Sequence, residues 1–192
     1  LLSQQDMQAN QVQSVKNLTG IVPNLFIPDY GSKLTTSIYI RGIGSRINTP
    51  SVGLYVDNIP YIDKSAFDFN YADIERIDVL RGPQGTLYGR NTMGGIINVY
   101  TKSPLKFQGT NALISNGTYG AREYALSRYA KIGEKFGYSL SANYNRNDGY
   151  FTNLFTDKKA DDLKSGSGRI RLEWQPTQRL SLGLMSSYDN SR

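Results

Sequence analysis

The residues able to do chemistry are few in kind, because the chain of 192 residues contains no His and no Cys. A Ser-His-Asp triad, a thiol nucleophile, a disulfide and a Cys-based zinc site are therefore out of reach within it. Acid–base work is left to paired carboxylates, as in a glycosidase, and no Asp/Glu spacing picks out such a pair. The aspartates at 57, 63, 68, 73 and 78 raise calcium, but their irregular spacing does not make an EF-hand loop, and solvated turns account for them. Gly82-Pro83-Gln84-Gly85 with Tyr88-Gly89-Arg90 suggests a phosphate loop. It lacks the Gly-Lys-Ser/Thr ending such a loop needs, so a strand followed by a tight turn is expected. No catalytic residue, cofactor or metal ion is expected.

The elements that position these residues follow two grammars. Residues 1–105 carry 9 Lys+Arg and 8 Asp+Glu, a net of +1; residues 106–192 carry 13 and 8, a net of +5. The basic charges are spread through strand-like segments rather than gathered on one face, which argues against nucleic acid as a partner. In the first half, residues 3–15 fit a short amphipathic helix with Met7, Val12 and Val15 as its apolar points. Asn17-Leu18-Thr19-Gly20 ends it. Strands are expected at Thr36–Arg41, Val52–Val56, Ile74–Leu80 and Gly95–Thr101. Glycine clusters separate them, where positive φ or close backbone approach is needed.

The second half alternates with a period of two. Tyr138, Leu140, Ala142 and Tyr144 share one face against Ser139, Ser141, Asn143 and Asn145. Ile170, Leu172 and Trp174 oppose Arg169, Arg171 and Glu173, and Leu180, Leu182, Leu184 and Tyr188 oppose Ser181, Gly183 and Met185. A less regular pair covers about 109–116 and 122–132, with Tyr124, Leu126 and Arg128 against Ala125, Ser127 and Tyr129. Ile132–Phe136 and Pro176–Arg179 are tight turns; Asp148–Gly166 is a long polar loop. Mean hydropathy is −0.45, and no run approaches the ~18 apolar residues of a membrane helix. That excludes a helical span and leaves a membrane barrel open. Alternation alone also suits a soluble antiparallel sheet with one wet face. The start, LLSQQDMQAN, shows no basic region followed by an apolar one, so no signal peptide is visible.

The string IYIRGIGSRINTPSVGLYVDNIPYIDKSAFDF, followed by DIERIDVLRGPQGTLYGRNTMGGIINVYTKSP, resembles the plug domain of TonB-dependent outer-membrane receptors. The matching segments are Arg41-Gly42, Val52–Pro60, Asp73–Gly82, Pro83–Arg90 and Gly94–Lys102, in the family's order and spacing. The resemblance covers nearly all of residues 10–105, and the segments after it resemble the first barrel strands. It implies an α+β plug domain (residues 1–105) followed by antiparallel β-strands of an incomplete transmembrane β-barrel (residues 106–192). Five strands cannot close a barrel, and no TonB box is recognisable at the start, so a piece of a longer receptor is expected.

What the resemblance implies for function is active import of a scarce ligand across the outer membrane, most often a ferric siderophore, with no enzymatic activity. Cobalamin, haem and oligosaccharide are alternative cargoes, and a soluble β-rich binding module is the alternative of another class. The implied partners are TonB with its inner-membrane energising complex, a small-molecule metal chelate and outer-membrane lipid. The plug motif residues Arg41, Gly42, Asp57, Arg81, Gly82, Tyr88, Gly89, Arg90, Gly94 and Gly95 are expected to be structural, with Arg41 and Arg81 pairing to acidic residues of the barrel wall. In the family, the segments Ile43–Pro50 and Tyr61–Asn70 form apical loops. Their Arg46, Asn48, Tyr61, Lys64, Phe67 and Phe69 would meet an anionic aromatic chelate through charge and cation–π contact.

Overall fold

The computed structural model describes residues 1–10, 12, 15–28, 36–45, 49–62 and 73–191. Two compact units divide the chain, Leu1–Thr101 and Lys102–Arg192.

The first unit opens with β1 (Leu2–Ser3) and a short helix α1 (Gln4–Ala9). Ser3 and Asp6 cap each other: the Asp6 carboxylate accepts from the Ser3 N–H at 2.9 Å and the Ser3 hydroxyl accepts from the Asp6 N–H at 3.2 Å. The helix stops well short of residue 15. A 3-10 turn follows at Val15–Gly20 and buries Val15 and Leu18. Three two-residue strands, β2 (Leu25–Phe26), β3 (Tyr39–Ile40) and β4 (Ile43–Gly44), form a small sheet in that order. Thr36, Ser37 and Ile38 are buried but not in a strand, so the strand expected at Thr36–Arg41 shrinks to two residues. Its end is set by Arg41 and Gly42, at φ 53° and 78°. Two successive left-handed residues between Ile40 and Ile43, which pair, make a tight hairpin turn.

The main sheet of this unit runs β1, β7 (Ile74–Arg81), β8 (Gly95–Thr101), β5 (Val52–Val56), β6 (Ile59–Tyr61). β5 and β8 pair in parallel and the remaining neighbours antiparallel. All five residues of β5 are buried, as are six of the seven in β8. That explains their nearly unbroken apolar, β-branched runs: a strand covered on both faces cannot alternate. Ile74, Ile77, Ile96, Ile97, Val99, Leu54 and Val56 are the heart of this core.

In the second unit, β9 (Gly109–Asn116), β10 (Arg122–Ile132), β11 (Phe136–Asn147), β14 (Leu163–Thr177) and β15 (Leu180–Ser191) form an antiparallel meander in chain order. Between β11 and β14 lies a small hairpin, β12 (Thr152–Asn153) with β13 (Lys158–Lys159). β14 begins earlier than expected, inside the segment read as loop. Its Ser167 N–H and hydroxyl both donate to Asn143 Oδ1, at 3.0 and 2.6 Å, so small polar residues join the ladder. It also ends later: Pro176 lies where the register slips between Trp174 and Thr177, a place that tolerates a missing N–H.

The sheet's faces are inverted relative to a soluble protein. The apolar set is exposed: Leu126 is 55% exposed, Leu140 53%, Ile170 49% and Leu184 65%. The polar set is covered, with Ser127, Ser139 and Glu173 buried. A wet-faced sheet in water buries its leucines, whereas a membrane strand turns them outward. No helix among the described residues is long and apolar enough to cross a membrane.

Candidate functional site

In the plug motif, Asp57 and Asn58 (φ 49° and 67°) form the two-residue turn between Val56 and Ile59, which pair. The turn presents the Asp57 carboxylate to the end of β8. One oxygen accepts from the Thr101 N–H at 2.9 Å, the other from the Thr101 hydroxyl at 2.6 Å. The Asp57 N–H donates to the Val99 carbonyl at 2.9 Å. Asp57 is thus spent on structure. Asp78 lies 3.5 Å from Arg76, Asp73 is buried, and Asp63 and Asp68 lie outside the described residues. Among the described residues no group of three or more acidic side chains is placed to hold a metal ion.

The segment from Gly82 to Gly95 folds back on itself. The Gly82 N–H donates to the Gly94 carbonyl at 3.0 Å, Gln84 to Thr92 at 3.0 Å, and Tyr88 and Gly89 donate to Gln84 and Gly85, both at 3.0 Å. These four amides are engaged by carbonyls, and the Lys-Ser/Thr of a phosphate loop is missing. Gly82, Gly89 and Gly95 have positive φ (110°, 74° and 142°). A Cβ on Gly95 would run into the Leu80 carbonyl, and one on Gly94 would come within 2.9 Å of the Ile43 carbonyl.

A polar cluster that the sequence did not announce supports this turn. The Tyr55 hydroxyl donates to the Tyr88 carbonyl at 2.7 Å, and the two rings meet edge-to-face at 5.1 Å. Asn98 Nδ2 donates to the Tyr88 hydroxyl at 3.2 Å, and the Thr92 hydroxyl donates to the Gly89 carbonyl at 2.7 Å. Burial pushes the Tyr55 phenol above its ordinary value, so it stays a neutral donor. The available signal was Tyr55 and Asn98 in otherwise apolar strands, with Tyr88 in the glycine-rich segment between strands.

Arg41 is exposed in its hairpin turn, and its N–H donates to the Asn24 carbonyl at 2.9 Å. Arg81 is exposed and donates to the Pro23 carbonyl at 3.3 Å. Arg90 is exposed. Of the apical-loop candidates, Tyr61 is the last residue of β6, half-buried and paired with Leu54. Arg46, Asn48, Lys64, Phe67 and Phe69 lie outside the described residues.

In the second unit, the connections at one end are tight, residues 133–135 and 178–179, and those at the other are longer, 117–121 and 148–162. At the longer end Tyr119 meets Tyr150 at 4.6 Å, and the Asp148 N–H donates to the Tyr119 carbonyl at 3.0 Å. Asp161 organises the small hairpin by accepting from the Tyr150 and Phe151 N–H groups at 2.9 and 2.8 Å. Those bonds hold its carboxyl below the usual carboxylate value. Asn153 Oδ1 accepts from the Phe155 and Thr156 N–H groups, and Leu154 and Phe155 at the tip are each 97% exposed. On the covered face, Glu173 pairs with Arg171 and accepts the Ser103 hydroxyl.

Comparison with known proteins agrees with this architecture. The family model described as TonB-dependent Receptor Plug Domain matches residues 1–96. The pesticin receptor of Yersinia enterocolitica is 38% identical over 95 residues, 48% of this chain and 14% of that protein. The vitamin B12 transporter BtuB of Vibrio cholerae is 28% identical over 156 residues, 78% of this chain and 25% of that protein. The ferric yersiniabactin uptake receptor FyuA of Yersinia pestis superposes with a TM-score of 0.88 at 25% identity, covering 99% of this chain and 31% of that one. The chain thus spans at most about a third of these relatives. With the plug model covering half of its length and the plug-then-strands order shared throughout with a solved receptor, the chain belongs to the TonB-dependent receptors.

Proposed function

We propose that the protein containing this chain imports a ferric siderophore across the outer membrane, driven by TonB and its inner-membrane energising complex. One observation carries it: the likeness to a ferric yersiniabactin receptor extends over both units at a TM-score of 0.88, with 38% identity to a pesticin receptor in the plug. The inverted sheet supports the outer-membrane setting, because exposed leucines on one face and covered Arg and Glu on the other suit lipid outside and a polar lumen within. Residues 1–105 act as the plug and residues 106–192 as barrel wall. The role is that of a receptor and transporter, not an enzyme.

Ligand capture is assigned to the apical segments. Arg46 and Lys64 supply charge for an anionic chelate, Asn48 a hydrogen-bonding amide, and Tyr61, Phe67 and Phe69 an apolar platform. A funnel with cations at its base concentrates anions. Cobalamin is the second reading, favoured by the BtuB match across 78% of the chain.

The test is transport by the full-length receptor in a strain lacking its gene. Uptake of radioiron-labelled siderophores under iron limitation should depend on the gene and collapse when TonB is absent. Uptake of labelled cyanocobalamin in place of iron would establish the second reading, and transport of neither would sink both.

A further inference from the structure

Three cations lie side by side across the meander. Arg122 on β10 pairs in register with Arg146 on β11, and Arg146 with Lys164 on β14. Directly opposed residues on one face have Cβ atoms about 5 Å apart, and like charges there repel. Parity puts all three on the exposed apolar face, with Tyr124, Leu126, Leu140, Tyr144 and Ile170. Asp148 offsets one charge: Arg146 Nε and Nη2 both lie 2.9 Å from its Oδ1. Arg122 and Lys164 are exposed, and no carboxylate among the described residues pairs with either.

The height of the row is set by its neighbours. One step toward the sheet's middle, Tyr124 and Tyr144 stack with centroids 6.4 Å apart and planes 18° apart. Paired tyrosines on an outward face mark the level where hydrocarbon gives way to headgroups. The cations stand one pleat repeat beyond, ~7 Å further along the strands, at the end with the longer connections. A guanidinium matches a phosphate through two parallel hydrogen bonds, and an ammonium adds a point charge. An anion held here relieves the cross-strand repulsion that Asp148 offsets only in part. The lumen side cannot supply it, since the row faces away from the covered polar residues.

We propose that Arg122, Arg146 and Lys164 bind the phosphate groups of an anionic lipid headgroup in the outer leaflet of the membrane. The inference rests on the outer-membrane location proposed above but on no particular cargo. Arg128, three rows toward the tight turns, is a different case, because its guanidinium is already engaged with the Thr110 hydroxyl at 2.8 Å.

The test uses the full-length receptor, delipidated in neutral detergent and titrated with bis-phosphorylated lipid A, with bound lipid counted by native mass spectrometry. The R122Q/K164Q double variant should bind about thirtyfold more weakly, on the footing of roughly fivefold per basic residue at an anionic lipid surface. The charge-preserving R122K/K164R variant should recover most of that loss. Phosphatidylcholine should not compete. Radioiron uptake by the double variant should match wild type, which keeps this outcome separate from that of the transport experiment. Wild-type lipid A affinity in the double variant overturns the proposal. So does displacement of lipid A by inorganic phosphate at equal concentration, which would make the row a soluble-anion site. If R122Q/K164Q loses its heat-resistant barrel mobility, the single K164Q variant decides, expected fivefold down and overturned by no change.

Discussion

The carboxylate of Asp57 grips both the N–H and the hydroxyl of Thr101, joining the β5–β6 turn to the final residue of β8. The clamp closes the parallel pair at the plug's centre. Hydrogen bonds to an ionised group contribute about 1.5–3 kcal/mol each at most. Asp57→Ala should therefore destabilise the plug by about 2–3 kcal/mol, and Asp57→Asn by less, since one acceptor remains. Hydrogen exchange in the full-length receptor reads this locally: the Thr101 amide should lose protection in Asp57→Ala. Unchanged protection would mean the clamp carries no stability.

Gly82 and Gly95 separate two reasons for glycine. Both have positive φ, at 110° and 142°. A Cβ at Gly82 meets nothing within 4 Å, while one at Gly95 collides with the Leu80 carbonyl across the β7–β8 ladder. Gly82→Ala should cost only the backbone strain, about 1–3 kcal/mol. Gly95→Ala must also push two paired strands apart, so it should lose more stability and more folded receptor in the membrane. Equal losses would show that the steric term is absent.

Asp161 gives the small hairpin a pH dependence whose sign is fixed. Its carboxyl is held below 3.8, first by the Tyr150 N–H and also by that of Phe151. A carboxylate with a depressed folded value stabilises above its unfolded value, and the contribution fades as pH falls through the folded one. The hairpin should be intact at neutral pH and loosen only in acid below 3.8. Amide exchange at Tyr150 and Phe151 across that range checks it. Asp161→Asn should flatten the dependence, and a loosening near neutrality would contradict the assignment.

How much of this was legible in the residues depended on range. Val52–Val56 and Gly95–Thr101 were readable because burial on both faces leaves an unbroken apolar run. The helix expected over 3–15 was too long for a local reason: the Asn10 side chain donates to the Asp6 carbonyl at 2.8 Å, competing with the helix ladder. The Arg41-Gly42 pair was legible as a motif, but not as a two-residue turn with arginine in the left-handed region. The Arg122–Arg146–Lys164 row could not be found from sequence, since separations of that size acquire meaning only from strand register. Alternation in the second half was plain, yet which face is covered is a tertiary property that no period reveals.

The two faces of the meander differ in what they tolerate, and not simply as outward strict and inward lax. On the exposed face, Leu140 and Leu184 are 53% and 65% exposed. In a membrane, an arginine at such a mid-strand position should cost about 2–4 kcal/mol, falling toward zero near the interfaces. On the covered face, Glu173 is 8% exposed, paired with Arg171 and bonded by Ser103. Glu173→Ala removes the acceptor shared by the Arg171 guanidinium and the Ser103 hydroxyl on this face, a penalty of about 1–3 kcal/mol. Ser141, half-covered and paired in register with Ser127 and Arg169, should take Ala with little effect. Folding of the full-length receptor into lipid vesicles measures all four. The expected order of loss places Leu140→Arg and Leu184→Arg first, Glu173→Ala next and Ser141→Ala last. Leucine-to-arginine changes that cost nothing in lipid would remove the membrane assignment of this sheet. A silent Glu173→Ala would instead show that the Ser103–Glu173–Arg171 chain is solvated in the receptor.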